Sequence, residues 1–227
     1  MAIRQGSGDG AWRANAGLAR WVAALVLLLA GGSALAVGGQ WFLSALNAAN
    51  AERFLDDWAR LGVEPPPEAF AVAEAAAIGA IRFHPGRSGE AWDRLGRVYD
   101  WAHWQAPIRA RELPATRIAP SRILSAPLGG AAADNPAATR LRALSVYQQA
   151  VELRPLWPYG VSRLAFARLR AGGADERLGE HLQTAYRLGP WRPSVNRRIT
   201  EMGLIAWRHL DWTTRELVLE NARRTAR

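Results

Sequence analysis

Apolar and small residues recur in the second half of the chain with the spacing of packed α-helices. Three such residues precede a proline at offsets of four, three and five residues, and this arrangement occurs twice: Ala143, Tyr147, Ala150, Pro155 and Leu178, Leu182, Ala185, Pro190. The two prolines are 35 residues apart, which is close to the period of a tetratricopeptide (TPR) helix pair. Each such pair buries its apolar face by stacking on a neighbouring pair. The pattern predicts an all-α chain with a TPR-like helical-repeat (α-solenoid) domain.

Two further half-signatures occur earlier, in residues 68–104. The second-helix spacing returns at Ala73, Ala77, Ala80 and Pro85. The following helix carries the W-x-x-L-G-x-x-Y arrangement of a first TPR helix, formed by Trp92, Leu95, Gly96 and Tyr99. We expect Trp92 and Tyr99 to fill the space between helices and Gly96 to allow their close approach. Residues 68–104 are therefore predicted to be the first repeat helices.

The repeat period is interrupted by an insertion at residues 105–135, which is rich in proline and small residues. Its basic side chains are Arg109, Arg111, Arg117 and Arg122. Long connections in compact domains are usually functional or disordered. Two interpretations stay open: a solvated linker, or a loop that binds an anion or a partner.

The TPR-like repeats are predicted to resume over residues 136–227. We expect helices at residues 136–153, 158–171, 175–188, 194–210 and 212–224. Asp211 is placed to cap the last helix, because its short carboxylate can accept hydrogen bonds from free backbone N–H groups. Trp207 and Leu210 are expected to be buried, and Arg223 and Arg224 exposed.

The N-terminal region contains a candidate membrane span. Residues 21–39 carry no charge, and about 20 apolar residues suffice for a helix to cross a bilayer. We assign residues 21–40 to a transmembrane helix that contacts the lipid bilayer, and residues 41–67 to a stalk or first packing helix. An alternative is a signal peptide cleaved after Ala36, because Ala34-Leu35-Ala36 is a small-x-small triplet.

The charges around the span predict its orientation. Arg4, Arg13 and Arg20 precede it, whereas acidic residues soon follow it. The positive-inside rule then keeps residues 1–20 in the cytoplasm and sends the remainder across the membrane. We expect a single-pass protein of the bacterial inner (cytoplasmic) membrane with a periplasmic C-terminal domain.

The amino-acid composition excludes several kinds of catalytic and metal-binding site. The chain of 227 residues has no cysteine, and all 29 basic residues are arginine, which excludes thiolate sites and Schiff-base lysines. Residues 106–227 contain twenty Arg against ten acidic residues, and such a surplus favours an anionic partner. We expect no nucleic acid, because the basic half is predicted to lie beyond the membrane.

No catalytic or metal-binding motif is evident. The four histidines, His84, His103, His181 and His209, lack the spacing of a helical metal site. Asp56 with Asp57, and Asp175 with Glu176, are adjacent pairs that do not suit the paired carboxylates of a glycosidase. We therefore assign no catalytic residue, no metal ligand and no cofactor.

Aromatic residues next to arginines are the candidate binding residues. Aromatic faces stack on sugar rings, and guanidinium groups bind carboxylates through two hydrogen bonds. The alternative is that these aromatic side chains fill corners between stacked helix pairs. Besides the four insertion arginines, the candidates for binding a partner or a glycan are Arg154, Trp157, Tyr159, Arg163, Trp191 and Arg192.

Three stretches carry a family resemblance: residues 150–159 (AVELRPLWPY), 188–193 (LGPWRP) and 202–207 (MGLIAW). Together they resemble the VpsP-like polysaccharide biosynthesis proteins, which have one N-terminal membrane helix. The resemblance covers about residues 140–210, and this region is also similar to the C-terminal helical repeats of some O-antigen ligases. The resemblance implies a setting in bacterial exopolysaccharide production and supplies no catalytic residue.

The first functional hypothesis is a non-enzymatic, membrane-anchored scaffold or accessory protein of exopolysaccharide biosynthesis or export. Its repeat surface would bind an anionic glycan or a protein of the envelope polysaccharide machinery. The alternative is a glycan-modifying enzyme, either a lyase using Tyr and Arg groups or a transferase.

Overall fold

The computed structural model describes residues 9–105, 118–130 and 134–225, with side chains from residue 20 onward. These ranges contain helices and no β-strand, which confirms the all-α prediction for them. We label the α-helices in chain order α1 (Asp9–Leu61), α2 (Pro67–Phe83), α3 (Gly89–Trp101), α4 (Pro120–Leu124), α5 (Pro136–Leu153), α6 (Pro158–Arg170), α7 (Glu176–Leu188), α8 (Pro193–Ile205) and α9 (Trp212–Thr225). A 3₁₀ helix, Trp207–His209, lies between α8 and α9.

Helix α1 is long and apolar enough to cross a membrane, and none of the side chains in its most apolar stretch is buried. The predicted span and the predicted packing helix belong to this one helix. Helix α1 ends at Leu61, and the next residue, Gly62, has a φ of +66°. Glycine adopts this left-handed conformation more easily than other residues, and it is common directly after a helix C-terminus. The chain divides after Phe42 into two units, and the second unit is described below on its own.

The second unit contains two main apolar clusters. The first joins the C-terminal part of α1 to α2, α3 and α5 through residues that include Leu55, Trp58, Phe70, Leu95, Tyr99 and Val146. The second joins α6, α7, α8 and α9 through Val161, Leu178, Leu182, Ile199, Met202 and Val218. A smaller cluster of Leu144, Tyr147, Leu164 and Ala167 connects α5 to α6.

Most helices of the second unit pack against the next long helix in the chain. The contacts join α2 to α3, α3 to α5, and α5 to α6. They continue from α6 to α7, from α7 to α8 and from α8 to α9. Second neighbours also touch, because α6 contacts α8 and α7 contacts α9.

The repeat positions identified from sequence are core positions. Those of α2, α5 and α7 are all buried: Ala73, Ala77, Ala80, Ala143, Tyr147, Ala150, Leu178, Leu182 and Ala185. Small side chains at these places let helix backbones approach, whereas Tyr147 and the leucines fill the space between helices. The apolar periodicity therefore marked the buried faces correctly.

Short polar side chains begin several helices. The side-chain oxygens of Ser88, Asn135 and Asp175 accept hydrogen bonds from backbone N–H groups in the first turns of α3, α5 and α7. Asp211 Oδ1 accepts from the backbone N–H of Thr214 at 2.9 Å, which confirms the predicted cap of the last helix.

Four local expectations need correction. The first repeat helices, predicted over residues 68–104, end at Trp101, and the helix predicted over residues 194–210 ends at Ile205. Trp207 is half-buried rather than buried, with the Arg215 guanidinium 5.6 Å from the centre of its ring. Arg224 is half-buried rather than exposed, because it pairs with Glu220 at 2.8 Å.

The described part of the insertion packs on the helices. Ile123 of α4 is buried in the first apolar cluster. Gly129, with a φ of +77°, donates its backbone N–H to Glu74 Oε2 at 2.5 Å. Burial raises the pKa of Glu74. Ile123 and Gly129 thus attach residues 118–130 to the helices.

Gly96 lets α3, the helix that carries the W-x-x-L-G-x-x-Y residues, pack closely against Tyr147 of α5. A Cβ atom at this position would lie 2.6 Å from Cε1 of the buried Tyr147 ring. Gly96→Ala should therefore lower the free energy of unfolding by about 1–3 kcal/mol through overpacking. Urea denaturation of the full chain in detergent micelles, followed by circular dichroism, measures the change.

The matched control is Gly179→Ala in α7. There a Cβ would lie 3.4 Å from Thr214 Oγ1, which is ordinary contact. Alanine favours a helix interior over glycine by about 1 kcal/mol, so this variant should be as stable as the parent or more stable. Equal losses in the two variants would contradict the steric role of Gly96.

Candidate functional site

A cleft of about 530 Å³ opens in the helical domain. Volumes of this size are typical of small-ligand sites. It is lined by the end of α1, by α3 and the turn after it, and by α5, α6 and α8. The lining residues are Leu55, Ala59, Arg97, Asp100, Trp101, Trp104, Tyr147, Arg163, Phe166, Arg170 and Arg198.

Two of the four cleft arginines are neutralised by carboxylates. Arg97 Nη1 donates to Glu52 Oε1 at 2.8 Å, and Arg163 pairs with the buried carboxylate of Asp93. These pairs join α3 to α1 and to α6. The guanidinium groups of Arg97 and Arg163 are therefore fixed in place by partners outside the cleft.

The other two arginines, Arg170 and Arg198, have no carboxylate partner among the described residues that would neutralise their charge. Arg170 donates to the backbone carbonyls of Asp100 at 2.9 Å, His103 at 3.2 Å and Trp104 at 3.3 Å. It thereby holds the turn that follows α3, and carbonyl partners do not cancel a positive charge. Arg198 has no ion pair with any residue in the described ranges.

Asp100 is the one carboxylate among the described residues that line the cleft. The Tyr147 hydroxyl donates to its Oδ2 at 2.7 Å. Burial raises the pKa of Asp100, while Arg170, the Tyr147 hydrogen bond, Arg198 and Arg163 act in the opposite direction. This carboxyl is thus held in a fixed orientation among cationic groups.

Tyr147 is a proton donor in this arrangement. Burial and the charge of Asp100 raise the pKa of its phenol well above the ordinary value. A catalytic base needs a pKa near the working pH, so the phenol is unsuited to act as a general base. Its hydrogen bond fixes the orientation of the Asp100 carboxyl.

Aromatic rings form one side of the cleft. Trp101 packs edge-on against Trp104, with ring centres 5.5 Å apart. Phe166 lies under two guanidinium groups, those of Arg170 at 5.8 Å and Arg198 at 5.5 Å. Trp104 is 40% exposed, so that part of its surface is open to a ligand.

The structure brings four of the predicted site residues together. The Arg154 guanidinium carbon lies 4.3 Å from the centre of the Trp157 ring, and that of Arg163 lies 5.4 Å from it. The ring centres of Trp157 and Tyr159 are 5.9 Å apart. Among these four residues, Arg163 also lines the cleft.

The other predicted site residues lie elsewhere. Trp191 is 79% exposed, and the Arg224 guanidinium is 4.8 Å from the centre of its ring. Arg192 is exposed at the start of α8, and Arg122 is exposed on α4. Arg109, Arg111 and Arg117 lie outside the described residues. Whether any of these residues binds a partner stays a prediction.

Sequence reasoning missed most of the cleft. Arg97, Asp100 and Trp101 are spaced i, i+3 and i+4, which places them on one face of α3, and Trp104 lies in the turn after it. That stripe was a usable signal on the helix whose other face carries the W-x-x-L-G-x-x-Y residues. The arginines of α6 and α8 gave no comparable signal, because they reach the cleft only through packing.

No metal centre is apparent among the described residues, where no group of three or more His, Cys, Asp or Glu side chains could hold an ion. His181 is half-buried, and burial lowers its pKa. A neutral imidazole of this kind fits an ordinary structural position.

The described residues form an all-helical domain with an arginine-rich, aromatic-lined cleft, preceded by one candidate membrane helix. Comparison of the chain with protein-family models, with curated proteins and with solved structures gave no match.

Proposed function

We propose that this protein is a non-enzymatic, membrane-anchored accessory protein of bacterial exopolysaccharide biosynthesis or export. In this role its helical domain binds an anionic component of the polysaccharide machinery. The observation that carries the proposal is the cleft, where Arg170 and Arg198 supply positive charge beside aromatic rings. Guanidinium groups next to aromatic surface are suited to anionic glycans.

A TPR-like solenoid is the proposed architecture of the helical domain. It is supported by the packing of successive helices from α5 to α9 and by the contacts of α6 with α8 and of α7 with α9. The 35-residue separation of Pro155 and Pro190 gives independent support. Such stacks present extended surfaces to partners.

The proposed location is the bacterial inner membrane, with the helical domain in the periplasm. The apolar part of α1 supports a span, and the arginines before it support a cytoplasmic N-terminus. The resemblance of residues 140–210 to VpsP-like proteins supports the polysaccharide setting.

A binding role is favoured over the glycan-modifying alternative by the character of the cleft. A glycosidase requires two carboxylates about 5–10 Å apart, whereas Asp100 is the one carboxylate among the described lining residues. Tyr147, whose pKa is raised by burial, is a poor base for a lyase.

The test combines gene deletion with affinity capture. Deletion should reduce the exopolysaccharide at the cell surface, and the tagged full chain should capture envelope polysaccharide or its assembly proteins from solubilised membranes. The control is the anchor alone, residues 1–42, which should capture neither. Unchanged polysaccharide together with no enrichment over the anchor would reject the proposal. If the full chain released new chain ends from the native polymer, the alternative of a glycan-modifying enzyme would be favoured.

A further inference from the structure

We infer that the cleft binds one carboxylate-bearing sugar unit, with the sugar carboxylate on Arg198 and a ring hydroxyl on Asp100. This inference rests on the proposed function, because it names the chemical class of ligand that the cleft recognises. It adds a defined site and two ligand-binding residues, Asp100 and Arg198, which were not among the candidates identified from the sequence.

The charge of the cleft favours an anionic ligand. The guanidinium groups of Arg97 and Arg163 pair with Glu52 and Asp93, whereas Arg170 and Arg198 have no ion pair with a described residue. Asp100 is the one carboxylate among the described residues that line the cleft. The lining therefore carries a net positive charge, which a ligand carboxylate would offset.

Arg198 is the guanidinium best placed to take the ligand carboxylate. It has no ion pair with a described residue, whereas Arg97 and Arg163 hold carboxylates and Arg170 holds three backbone carbonyls. Its guanidinium carbon lies 5.5 Å from the centre of the Phe166 ring. Packing on a ring leaves the N–H edge of a guanidinium free for two parallel hydrogen bonds to a carboxylate.

Asp100 supplies the acceptor that a sugar hydroxyl needs. Its Oδ2 accepts a hydrogen bond from the Tyr147 hydroxyl at 2.7 Å, and a carboxylate has further lone pairs that can accept from a sugar hydroxyl. A simple inorganic anion has no use for a carboxylate acceptor and would be repelled by it. The combination of Asp100 with Arg198 therefore favours a ligand that has both hydroxyl and carboxylate groups.

The aromatic side of the cleft suits a pyranose ring. Trp104 is 40% exposed and packs against Trp101. An indole offers a flat apolar surface to the C–H face of a sugar. The cleft volume of about 530 Å³ accommodates one or two sugar units.

The experiment is isothermal titration calorimetry on the full chain in detergent micelles. The probes are D-glucuronate, a tetrasaccharide of galacturonic acid, D-glucose, acetate and inorganic phosphate. We expect the two uronate probes to bind, and glucose, acetate and phosphate to bind at least about tenfold more weakly, because each lacks one of the matched groups. Tighter binding of the tetrasaccharide than of glucuronate would identify the polymer as the source.

Variants at two neighbouring arginines of α8 locate the site. Arg198→Gln should weaken uronate binding about tenfold or more, which corresponds to the loss of a charge-assisted hydrogen-bonded pair. Arg197→Gln removes the same charge from an exposed side chain that does not line the cleft, and it should leave binding unchanged. Arg198→Lys retains the charge without the planar group and should give an intermediate loss, which covers the case that Arg198→Gln fails to fold.

Several results would overturn the inference. They are equal binding of acetate and glucuronate, tighter binding of phosphate, equal losses in the Arg197 and Arg198 variants, or no uronate binding at all. In each case capture of envelope components by the full chain could still succeed, which would leave the proposed function standing. If the full chain captured no envelope component but still bound uronate through Arg198, the proposed function would be rejected and the uronate site would stand.

Discussion

Replacing Tyr147 by alanine should lower the free energy of unfolding of the helical domain by about 3–5 kcal/mol, as for other large buried aromatic residues. Tyr147 is fully buried. It packs with Leu144, Leu164 and Ala167 where α5 meets α6, and its ring lies against Gly96 of α3. The substitution removes one side chain that fills space among three helices, and the cavity left behind cannot close without moving them.

Tyr147→Phe separates the packing of the ring from its hydrogen bond. The ring stays in place, but the 2.7 Å bond to Asp100 Oδ2 is lost. We expect a smaller loss of about 1–2 kcal/mol for this single buried hydrogen bond. Urea denaturation of the full chain in micelles, followed by circular dichroism, measures both variants. Similar losses for Ala and Phe would show that ring packing is not the main contribution.

Asp175→Ala should be the second strongly destabilising substitution, with a loss of about 2–4 kcal/mol from an unpaired buried charge and a missing helix cap. Arg168 is only 7% exposed. Its Nε donates to Asp175 Oδ1 at 2.8 Å, and its Nη2 donates to Oδ2. Asp175 Oδ1 also accepts from the backbone N–H of Leu178 at 3.1 Å. Alanine therefore leaves the Arg168 guanidinium buried without its carboxylate.

The comparison variant is Asp211→Ala, which removes the equivalent cap of α9. Asp211 is exposed and accepts from Thr214, but it has no buried arginine as partner. The Asp211→Ala substitution should lower the free energy of unfolding by only about 1 kcal/mol, the usual contribution of a helix cap. Thermal and urea denaturation of both variants measure the difference, and equal losses would show that the Arg168 pair contributes little.

The same pair predicts a pH dependence. Hydrogen bonds from Arg168 lower the pKa of Asp175 below its ordinary value of 3.8. A carboxyl of this kind stabilises the fold above its unfolded pKa, and that stabilisation is lost as the pH falls through the folded pKa. The parent should therefore lose stability below about pH 4, more steeply than Asp175→Asn, which does not titrate. Parallel denaturation curves for the two proteins between pH 5 and pH 2.5 would contradict this assignment.

Much of the helical layout was accessible from sequence because it depends on local chemistry. Prolines and polar caps define where α5, α6, α7 and α9 begin. The sequence placed the end of α5 correctly, but it overextended α3 and α8. At Ile205 the chain changes to a 3₁₀ turn that ends at His209, and no glycine or proline marks that change.

The candidate site was less accessible. Sequence reasoning grouped aromatic residues and arginines that are close along the chain, and Arg154, Trp157 and Arg163 do meet. That approach found local clusters. It could not find Arg198 beside Asp100, since 98 positions separate them along the chain.

By itself the sequence determined the helical class, the apolar N-terminal segment, the buried repeat positions and most helix starts. These features follow from the 3.6-residue period, from capping and from hydropathy, which act over a few neighbouring residues. Only the tertiary structure decided which arginines keep an unneutralised charge. Arg97 and Arg163 are paired with Glu52 and Asp93, whereas Arg198 is not. Side-chain pairing of this kind depends on how helices distant in the chain pack, and the cleft exists only where they do.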